Sequence, residues 1–241
     1  MAKVLKNSAL LGPANTYCPG CGHGIIGRMI CDTLDELGIA DRTIGVSCVG
    51  CGMTVKKYVQ IDWVQAAHGR ACAVAPGVKC ALPGAIVMTY QGDGDAASIG
   101  MSETLFAAKR NEKIITIFIN NGVYGMTGGQ TAPTALDDQK TSTSVGYVDY
   151  SVFGKPIPVA EIIAEMDVAY VARGSLRSPA EIAKTEQYMK KAFQTQIDGT
   201  GYAFLEILSP CPTNWKLSPV DSMKRISEVI MDVYKCGELK G

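Results

Sequence analysis

Five apolar runs recur along the chain and are separated by segments with helical periodicity. The runs cover residues 43–48, 85–90, 114–120, 168–172 and 202–208. They are mostly continuous rather than alternating, which is typical of strands buried on both faces of a parallel sheet. Helical spacing of apolar residues follows over 24–37 and 97–110, and again after the Ser-Pro pairs that begin at Ser178 and Ser218. The alternation predicts an α/β fold, with a mainly parallel central sheet and helices on both faces.

One stretch breaks this alternation. Residues 124–158 are rich in Gly, Thr, Ser, Asp and Pro and have weak periodicity. A loop of that length in a compact domain is usually functional, or is ordered by a ligand or partner. Because neither a linker nor an internal repeat is visible, we predict one domain over residues 1–241.

Composition narrows the function classes. The chain has 241 residues, of which 47% are hydrophobic and 19% charged, and its 23 basic and 23 acidic residues cancel. Such a chain is expected to fold, and it lacks the strong field that favours nucleic acid or anionic membrane. No apolar stretch is long enough for a transmembrane span, and the first residues lack a secretory apolar region. A cytoplasmic location with no membrane or nucleic-acid partner is therefore expected.

Two polar motifs follow neighbouring predicted strands. The sequence GDG at 92–94 comes directly after the second strand, and Asn121 in an Asn-Asn-Gly turn follows the third. Strand ends of open α/β sheets bind ligands, and carboxylate and amide oxygens suit Mg²⁺ held beside phosphates. Each motif alone is also explained as a tight turn or helix cap. The two motifs at this separation indicate a ligand site far more specifically than either motif alone.

Nine cysteines need an explanation in a chain without a signal peptide, where metal or cofactor ligation is commoner than a disulfide framework. Cys18 and Cys21 form a C-x-x-C that fits a zinc site, a redox dithiol or an iron–sulfur ligand pair. With Cys48 and Cys51 they would also make a zinc ribbon. The remaining cysteines are interpreted as small, partly buried apolar residues; they are Cys31, Cys72, Cys80 and Cys236.

The GDG and Asn-Asn motifs together resemble the thiamine-diphosphate motif, and NNGVYGMTGGQ resembles the β subunits of 2-oxoacid:ferredoxin oxidoreductases. The resemblance implies the thiamine-diphosphate-binding fold, with Mg²⁺ bound by the side chains of Asp93 and Asn121 and the backbone carbonyl of Val123. Several relatives have Lys where this chain has Gly128, which leaves the cation that neutralises the diphosphate open. The implied cofactor-binding residues are Val49, Gly50, Cys51, Gly52, His68, Gly92, Gly94, Asp95, Asn121, Tyr124, Gly125, Met126, Thr127, Gly128, Gly129 and Gln130.

The same resemblance assigns the cysteines to one [4Fe-4S] cluster, with Cys18, Cys21, Cys51 and Cys211 as ligands. Cys48 stands where many relatives have glycine, so its replacement of Cys51 as a ligand stays open. The family carries an H-G-R sequence that matches His68 here, and the resemblance implies that this histidine is catalytic and approaches the diphosphate. His23 lies two positions after Cys21 and could hydrogen-bond a cluster sulfur or cap the helix, and we interpret it as a helix cap.

The implied activity is oxidative decarboxylation of a 2-oxoacid, in which coenzyme A takes the acyl group and ferredoxin takes the electrons. The pyrimidine-binding domain would lie on a separate α subunit, with small additional subunits possible, so that the chain is active only with its partner. Residues 124–158 are the candidate interface, or a lid, and Lys56 and Lys57 are a candidate ferredoxin contact. GMTGGQTAPT and CPTNW resemble the 2-oxoglutarate and branched-chain groups. The alternatives are a pyruvate-type member and a non-redox thiamine enzyme subunit with structural zinc.

Overall fold

A computed structural model describes residues 8–12 and 15–241. Its centre is a seven-stranded sheet in the order β2-β1-β3-β4-β8-β7-β9, in which only the β7–β9 pair is antiparallel. The strands are β1 Thr43–Ser47, β2 Asp62–Gln65, β3 Ile86–Gly92, β4 Ile115–Asn120, β5 Val123–Tyr124, β6 Gln130–Thr131, β7 Tyr170–Ser175, β8 Ala203–Leu208 and β9 Gly237–Lys240. Strands β5 and β6 form a separate hairpin.

Helices cover both faces of this sheet. They are α1 His23–Leu37, α2 Val55–Tyr58, α3 Ala71–Ala81, α4 Met101–Lys109, α5 Tyr150–Phe153, α6 Val159–Ala164, α7 Pro179–Ile197, α8 Pro212–Trp215, α9 Pro219–Arg225 and α10 Met231–Val233. Single 3-10 turns lie at Ala40–Arg42 and Cys51–Thr54, and single π turns at Asp95–Ile99 and Ile226–Ile230. In the part of the chain that the structure describes, no helix is long and apolar enough to cross a membrane.

The core forms two layers because side chains alternate across each buried strand. On one face α1 and α7 pack against residues such as Met88 and Ile117. On the other, α3, α4 and α6 pack against Val87 and Phe118. Every residue of β4, β7 and β8 is buried, which explains their continuous apolar runs. The predicted α/β architecture with a mainly parallel sheet is therefore confirmed.

The elements that the apolar pattern missed lie mainly at the edges of the sheet. Strand β2 has mostly exposed residues, and β9 pairs antiparallel to β7 through an irregular register. Helix α3 was also missed, because it contains Pro76 and is built largely of small residues. On this helix Cys80 is exposed, so its interpretation as a partly buried apolar residue is wrong, whereas Cys31 and Cys72 are buried and Cys236 is half-buried.

Residues 124–158 form the irregular segment that the composition predicted. Apart from the β5–β6 hairpin and the one-turn helix α5, the described structure there is made of turns. The hydroxyl of Thr134 joins the segment to the sheet by bonding Asp93, and within the segment the amide of Ile157 donates to the carbonyl of Pro133. The segment also leaves large apolar side chains exposed; they are Met126, Val145, Tyr147, Val152 and Phe153.

Candidate active site

Five neighbouring strands of the sheet end at one edge, and each is followed by a residue predicted for the site. The order β2-β1-β3-β4-β8 is also the order of these residues across the edge. The register places the last residues of β1, β3, β4 and β8 close to level, because Ser47 pairs with Tyr90 and Asn120 with Leu208. The residues that follow the five strand ends are His68, Cys51, Asp93, Asn121 and Cys211. The sheet therefore gathers positions that are far apart in sequence.

Asp93 lies at the bottom of this edge with its carboxylate almost completely buried. One oxygen accepts hydrogen bonds from the backbone amides of Asn121 (3.0 Å) and Gly122 (2.6 Å) and from the hydroxyl of Thr134 (2.8 Å). The other accepts from the amide of Gly94 at 2.7 Å. Burial raises the pKa of Asp93 to about 6, against these hydrogen bonds, because a buried charge lacks solvation. A bound cation would offset that cost.

The oxygen donors around Asp93 have the chemistry that Mg²⁺ prefers. The side-chain oxygen of Asn121 faces the same turn and accepts from the amide of Val123 at 3.1 Å. Asp93, Asn121 and Val123 all line one cleft. Carboxylate, amide and backbone carbonyl oxygens are hard ligands suited to Mg²⁺ completed by phosphate oxygens. These three residues therefore fit the ion that the sequence motif implies.

The cleft collects most of the residues predicted for the cofactor. Its predicted lining residues are Val49, Gly50, Cys51, Gly52, His68, Gly92, Asp93, Gly94, Asp95, Asn121, Val123, Tyr124, Gly125, Met126 and Thr127. Gly128 and Gly129 instead line an adjoining pocket, which also includes Lys140 and Lys216. Gln130 begins β6 and bonds the Thr127 hydroxyl and carbonyl, so it closes the turn between the hairpin strands.

His68 is held by Asp95 across the floor of the cleft. Its Nδ1 bonds one carboxylate oxygen of Asp95, which also accepts from the amide of Gly69 at 2.8 Å. The second oxygen accepts from the side-chain amide of Gln91 at 2.5 Å. These three hydrogen bonds fix the orientation of the Asp95 carboxylate. Asp95 thus positions His68, while the Nε2 atom of His68 is left for the cleft.

Two of the predicted cluster ligands converge on Gly125. A Cβ atom placed on Gly125 would lie 3.3 Å from the sulfur of Cys51 and 3.8 Å from that of Cys211. These two residues follow β1 and β8, which are separated in the sheet by β3 and β4. Gly125 itself lines the cleft, so the sulfur atoms lie directly beside the predicted cofactor site.

The C-x-x-C segment reaches the same place from the N-terminal side. Cys21 donates its backbone amide to the carbonyl of Cys18 at 3.0 Å, which closes a tight turn. Gly20, with φ of 77°, packs so closely on Pro219 that a Cβ atom would lie 2.6 Å from the proline ring. The amide of Gly22 bonds the carbonyl of Pro210, directly before Cys211. The segments of Cys18, Cys21 and Cys211 are therefore packed together.

The electrostatics of the thiols agree with this arrangement. Burial, assisted by negative charge on Cys211, Cys51 and Cys18, raises the pKa of Cys21 to about 12, and a hydrogen bond from the backbone amide of His23 opposes the rise. Burial likewise raises the pKa of Cys51 to about 11, with Cys211 and Cys18 acting in the same direction. Four thiols within electrostatic reach fit the donor set of an iron–sulfur cluster, whose positive charge stabilises thiolates. Among the described residues, no three His, Cys, Asp or Glu side chains form a site for a single metal ion.

Cys48 differs from these thiols in its complete burial and in its neighbours. It is fully buried, and its sulfur would lie 3.0 Å from a Cβ atom on Gly52. Burial is the main cause that raises the pKa of Cys48, and the charge of Asp95 adds to the rise. The backbone amide of Gly92 opposes the rise because it bonds the sulfur. These neighbours place Cys48 beneath the GDG turn, so the geometry favours Cys51 over Cys48 as the fourth thiol.

Several residues of the site were missed by sequence reasoning. His23, interpreted as a cap, is buried, lines the cleft and bonds the Tyr90 hydroxyl through Nδ1 at 2.7 Å. Burial lowers the pKa of His23 to about 4, so its imidazole is neutral. Asn214 and Trp215 reach over from the loop after Cys211. Both residues belong to the segment CPTNW, which indicated a family resemblance but did not predict these contacts.

Comparison with known proteins places these features in a class. Residues 46–207 match the family described as thiamine pyrophosphate enzyme, C-terminal TPP binding domain. The fold and the cleft thus define a domain of the thiamine-diphosphate-dependent enzymes. The match includes Cys51, Asp93 and Asn121, and Cys18, Cys21 and Cys211 lie outside it.

Relatives narrow that class. The chain is 47% identical over 202 residues to ketoisovalerate oxidoreductase subunit VorA of Methanothermobacter marburgensis, covering 83% of this chain and 42% of VorA. It is 33% identical over 212 residues to 2-oxoglutarate synthase subunit KorB of Archaeoglobus fulgidus, covering 88% of this chain and 75% of KorB. The chain belongs to the family of 2-oxoacid:ferredoxin oxidoreductase subunits, as the motifs predicted.

A solved structure agrees. The 2-oxoglutarate:ferredoxin oxidoreductase from Magnetococcus marinus, with 2-oxoglutarate, coenzyme A and succinyl-CoA bound, superposes with a TM-score of 0.78 and 28% identity. The alignment covers 92% of this chain and 73% of that one. By contrast, the chain spans less than half of the length of VorA.

Proposed function

We propose that this chain is the thiamine-diphosphate-binding subunit of a coenzyme A-acylating 2-oxoacid:ferredoxin oxidoreductase. It holds Mg²⁺, thiamine diphosphate and one [4Fe-4S] cluster, and it oxidises a 2-oxoacid of the 2-oxoglutarate or branched-chain type. One observation carries the proposal: adjacent strand ends bring the oxygen ligands Asp93 and Asn121 to the same cleft as Cys51. The sulfur of Cys211 lies beside that cleft at Gly125.

Each group of residues has its own task. Asp93, Asn121 and the carbonyl of Val123 would hold Mg²⁺, and the backbone of Gly94, with the turn at 125–130, would receive the diphosphate. When bound, thiamine diphosphate would supply an electron sink for decarboxylation, and the four thiols would hold a one-electron carrier. His68 presents Nε2 to the cleft because Asp95 holds its Nδ1.

The chain supplies only part of the catalytic site. Its relatives are named as subunits, and we propose a partner α subunit that contributes the pyrimidine-binding domain. The whole chain then serves as one diphosphate-type domain in the cytoplasm. Segment 124–158 is the proposed contact with the partner, which is supported by the exposed side chains of Val145, Val152 and Phe153. Ferredoxin would dock beside α2, where Lys57 is exposed and Lys56 bonds Gln65.

The test is metal and sulfide analysis of the complete chain after anaerobic purification, with matched cysteine variants. We expect about four irons and four sulfides per chain in the wild type, and the EPR signal of a reduced cluster. Cys51→Ser should lose most of this iron. Cys48→Ser, a matched change three positions away, should keep it, because Cys48 lies beneath the GDG turn.

Three outcomes would contradict the proposal. Zinc without sulfide in the wild type would point to a structural zinc site and a non-redox role. If Cys51→Ser keeps its iron and Cys48→Ser loses it, then Cys48 is the cluster ligand instead of Cys51. Failure of the chain, combined with its partner subunit, to reduce ferredoxin with any 2-oxoacid would reject the activity itself.

A further inference from the structure

Asn214 lies on the short helix α8, which follows Cys211 directly. It is half-buried, and the turn that carries it is fixed by a hydrogen bond from the amide of Trp215 to the carbonyl of Cys211 at 2.9 Å. The side-chain nitrogen of Asn214 donates to the backbone carbonyl of Gly125 at 3.1 Å and to the sulfur of Cys211 at 3.3 Å. Both N–H groups of the amide are therefore used.

The surroundings determine which way this amide points. The carbonyl oxygen of Gly125 and the sulfur of Cys211 are both acceptors, so they require the nitrogen of Asn214 on their side. The Asn214 oxygen lies on the other side, where a Cβ atom on Gly129 would be only 2.8 Å away. A reversed amide would place oxygen against oxygen and sulfur. The donor role of Asn214 is thus set by geometry.

We propose that Asn214 is a positioning residue that raises the reduction potential of the iron–sulfur cluster, while it also anchors the cofactor turn at Gly125. This inference rests on the proposed function, since it needs Cys211 to be a cluster ligand. Reduction adds one negative charge to the cluster and its thiolates. A hydrogen bond to a ligand sulfur stabilises that extra charge more than the oxidised state, and hydrogen bonds of this kind tune the potentials of such clusters.

The position of Gly125 makes the same amide a link between the two cofactor sites. Gly125 lines the cleft and lies beside the sulfur atoms of both Cys51 and Cys211. Its carbonyl takes one N–H of Asn214, and Cys211 takes the other. A single side chain therefore sets the distance between the turn that receives the diphosphate and the loop that holds the cluster.

The experiment is an EPR-monitored redox titration of the complete chain, purified anaerobically with the subunits that accompany it. Asn214→Leu keeps the approximate shape and removes both donors, and Asn214→Asp keeps the shape and turns an acceptor toward the sulfur. Thr213→Ala is the control, because Thr213 is exposed on the same turn. We expect unchanged iron and sulfide and a more negative midpoint potential in both Asn214 variants. At fixed potential the ratio of reduced to oxidised cluster should fall about three- to tenfold, tenfold being about 59 mV for one electron.

A second measurement does not depend on a stable variant. Asparagine labelled with ¹⁵N at its side-chain amide should give a nitrogen hyperfine coupling on the reduced cluster of the wild type. Midpoint potentials of both variants equal to that of Thr213→Ala, or no ¹⁵N coupling in a wild type with four irons, would overturn the inference. Absence of iron and sulfide from the wild type would instead reject the proposed function, so the two failures are distinguishable.

Discussion

The indole nitrogen of Trp215 donates a hydrogen bond to the backbone carbonyl of Asn121 at 3.0 Å. This bond joins the loop after β8 to the loop after β4, at the point where the latter turns toward Asp93. The ring of Trp215 also lies against the guanidinium of Arg225, 5.5 Å from the ring centre. The conformation of the proposed magnesium loop is therefore supported from outside the cleft, by a side chain that does not line it.

Trp215→Phe should weaken the binding of Mg²⁺ and thiamine diphosphate without unfolding the chain. The variant keeps an aromatic ring but leaves the carbonyl of Asn121 without its donor, a loss of about 0.5–1.5 kcal/mol. The dissociation constant of thiamine diphosphate, measured by calorimetry with excess Mg²⁺, should rise about two- to tenfold.

Trp63→Phe is the matched control for this variant. Trp63 on β2 donates its indole nitrogen to the carbonyl of Val59 at 2.9 Å, so the same atom is lost at a site outside the cleft. Its cofactor affinity should equal that of the wild type. An equal loss in both variants would show that the bond to Asn121 has no specific role.

Gly94→Ala should block the cleft. A Cβ atom at this position would lie 2.4 Å from the ring of Tyr124, which lines the site, so the ring would have to move. Overpacking of this kind costs about 1–3 kcal/mol. Cofactor affinity should fall at least about tenfold, and thermal unfolding should occur at a lower temperature.

The control for Gly94→Ala is Gly77→Ala on α3, where nothing lies within 4 Å of a new Cβ atom. Replacing a helical glycine by alanine should stabilise the chain by about 0.5–1 kcal/mol. If Gly94→Ala binds the cofactor as tightly as Gly77→Ala, then the GDG turn does not receive the diphosphate.

Asp95→Asn should disorder the orientation of His68. The carboxylate accepts from His68, Gly69 and Gln91, and an amide group would turn its own N–H toward one of these donors. Loss of a buried acceptor costs about 1–3 kcal/mol of folding stability. Denaturant unfolding should show that loss, and turnover with the partner subunit should fall with it.

A surface carboxylate provides the comparison for Asp95→Asn. Glu103 pairs with the half-exposed Arg70 over the neighbouring helix, so Glu103→Gln should change stability by less than about 1 kcal/mol. Turnover that is unaltered in Asp95→Asn, despite lower stability, would assign Asp95 a purely structural role.

Glu206→Gln should destabilise the sheet beside the site. Arg173 is fully buried and bonds Glu206 at 2.8 Å, while the other oxygen of Glu206 accepts from Asn120 at 2.7 Å. The variant leaves a buried guanidinium with Glu161 as its remaining carboxylate partner. A broken buried pair costs about 3–5 kcal/mol, so we expect a loss near 3 kcal/mol in urea unfolding.

The exposed pair of Arg110 and Glu112, at 2.6 Å, is the reference for that change. Glu112→Gln should alter the free energy of unfolding by less than about 1 kcal/mol, because exposed pairs contribute little. Equal effects of Glu112→Gln and Glu206→Gln would mean that Arg173 gains nothing from its buried partner.

The apolar pattern predicted the central strands because those strands are buried on both faces. Strand β4, in which every residue is buried, was found from one continuous run. The pattern missed β2 because an edge strand with exposed residues has no such run. It missed α3 because the residues that this helix buries are mostly small, and Pro76 is normally disfavoured inside a helix.

The proposed ligands could be predicted because their chemistry requires particular residue types at the ends of strands. Asp93 and Cys51 carry that requirement in their own side chains. The supporting contacts could not be predicted, since Thr134 and Asn214 are ordinary polar residues that bond Asp93 and the carbonyl of Gly125, which lie far away in the chain. Only the fold decides that the hydroxyl of Thr134 meets Asp93, and no local pattern records such a pairing.

The packing of Gly20 on Pro219 has a consequence for assembly of the protein. It brings the segment of Cys18 and Cys21 against the loop of Cys211, so a cluster bound there would cross-link the N-terminal segment to the loop that follows β8. The strands of the central sheet pair with one another without this cross-link. Insertion of iron and sulfide would then be a late maturation event, and loss of the cluster to oxygen would expose these two segments to proteolysis before the central sheet unfolds.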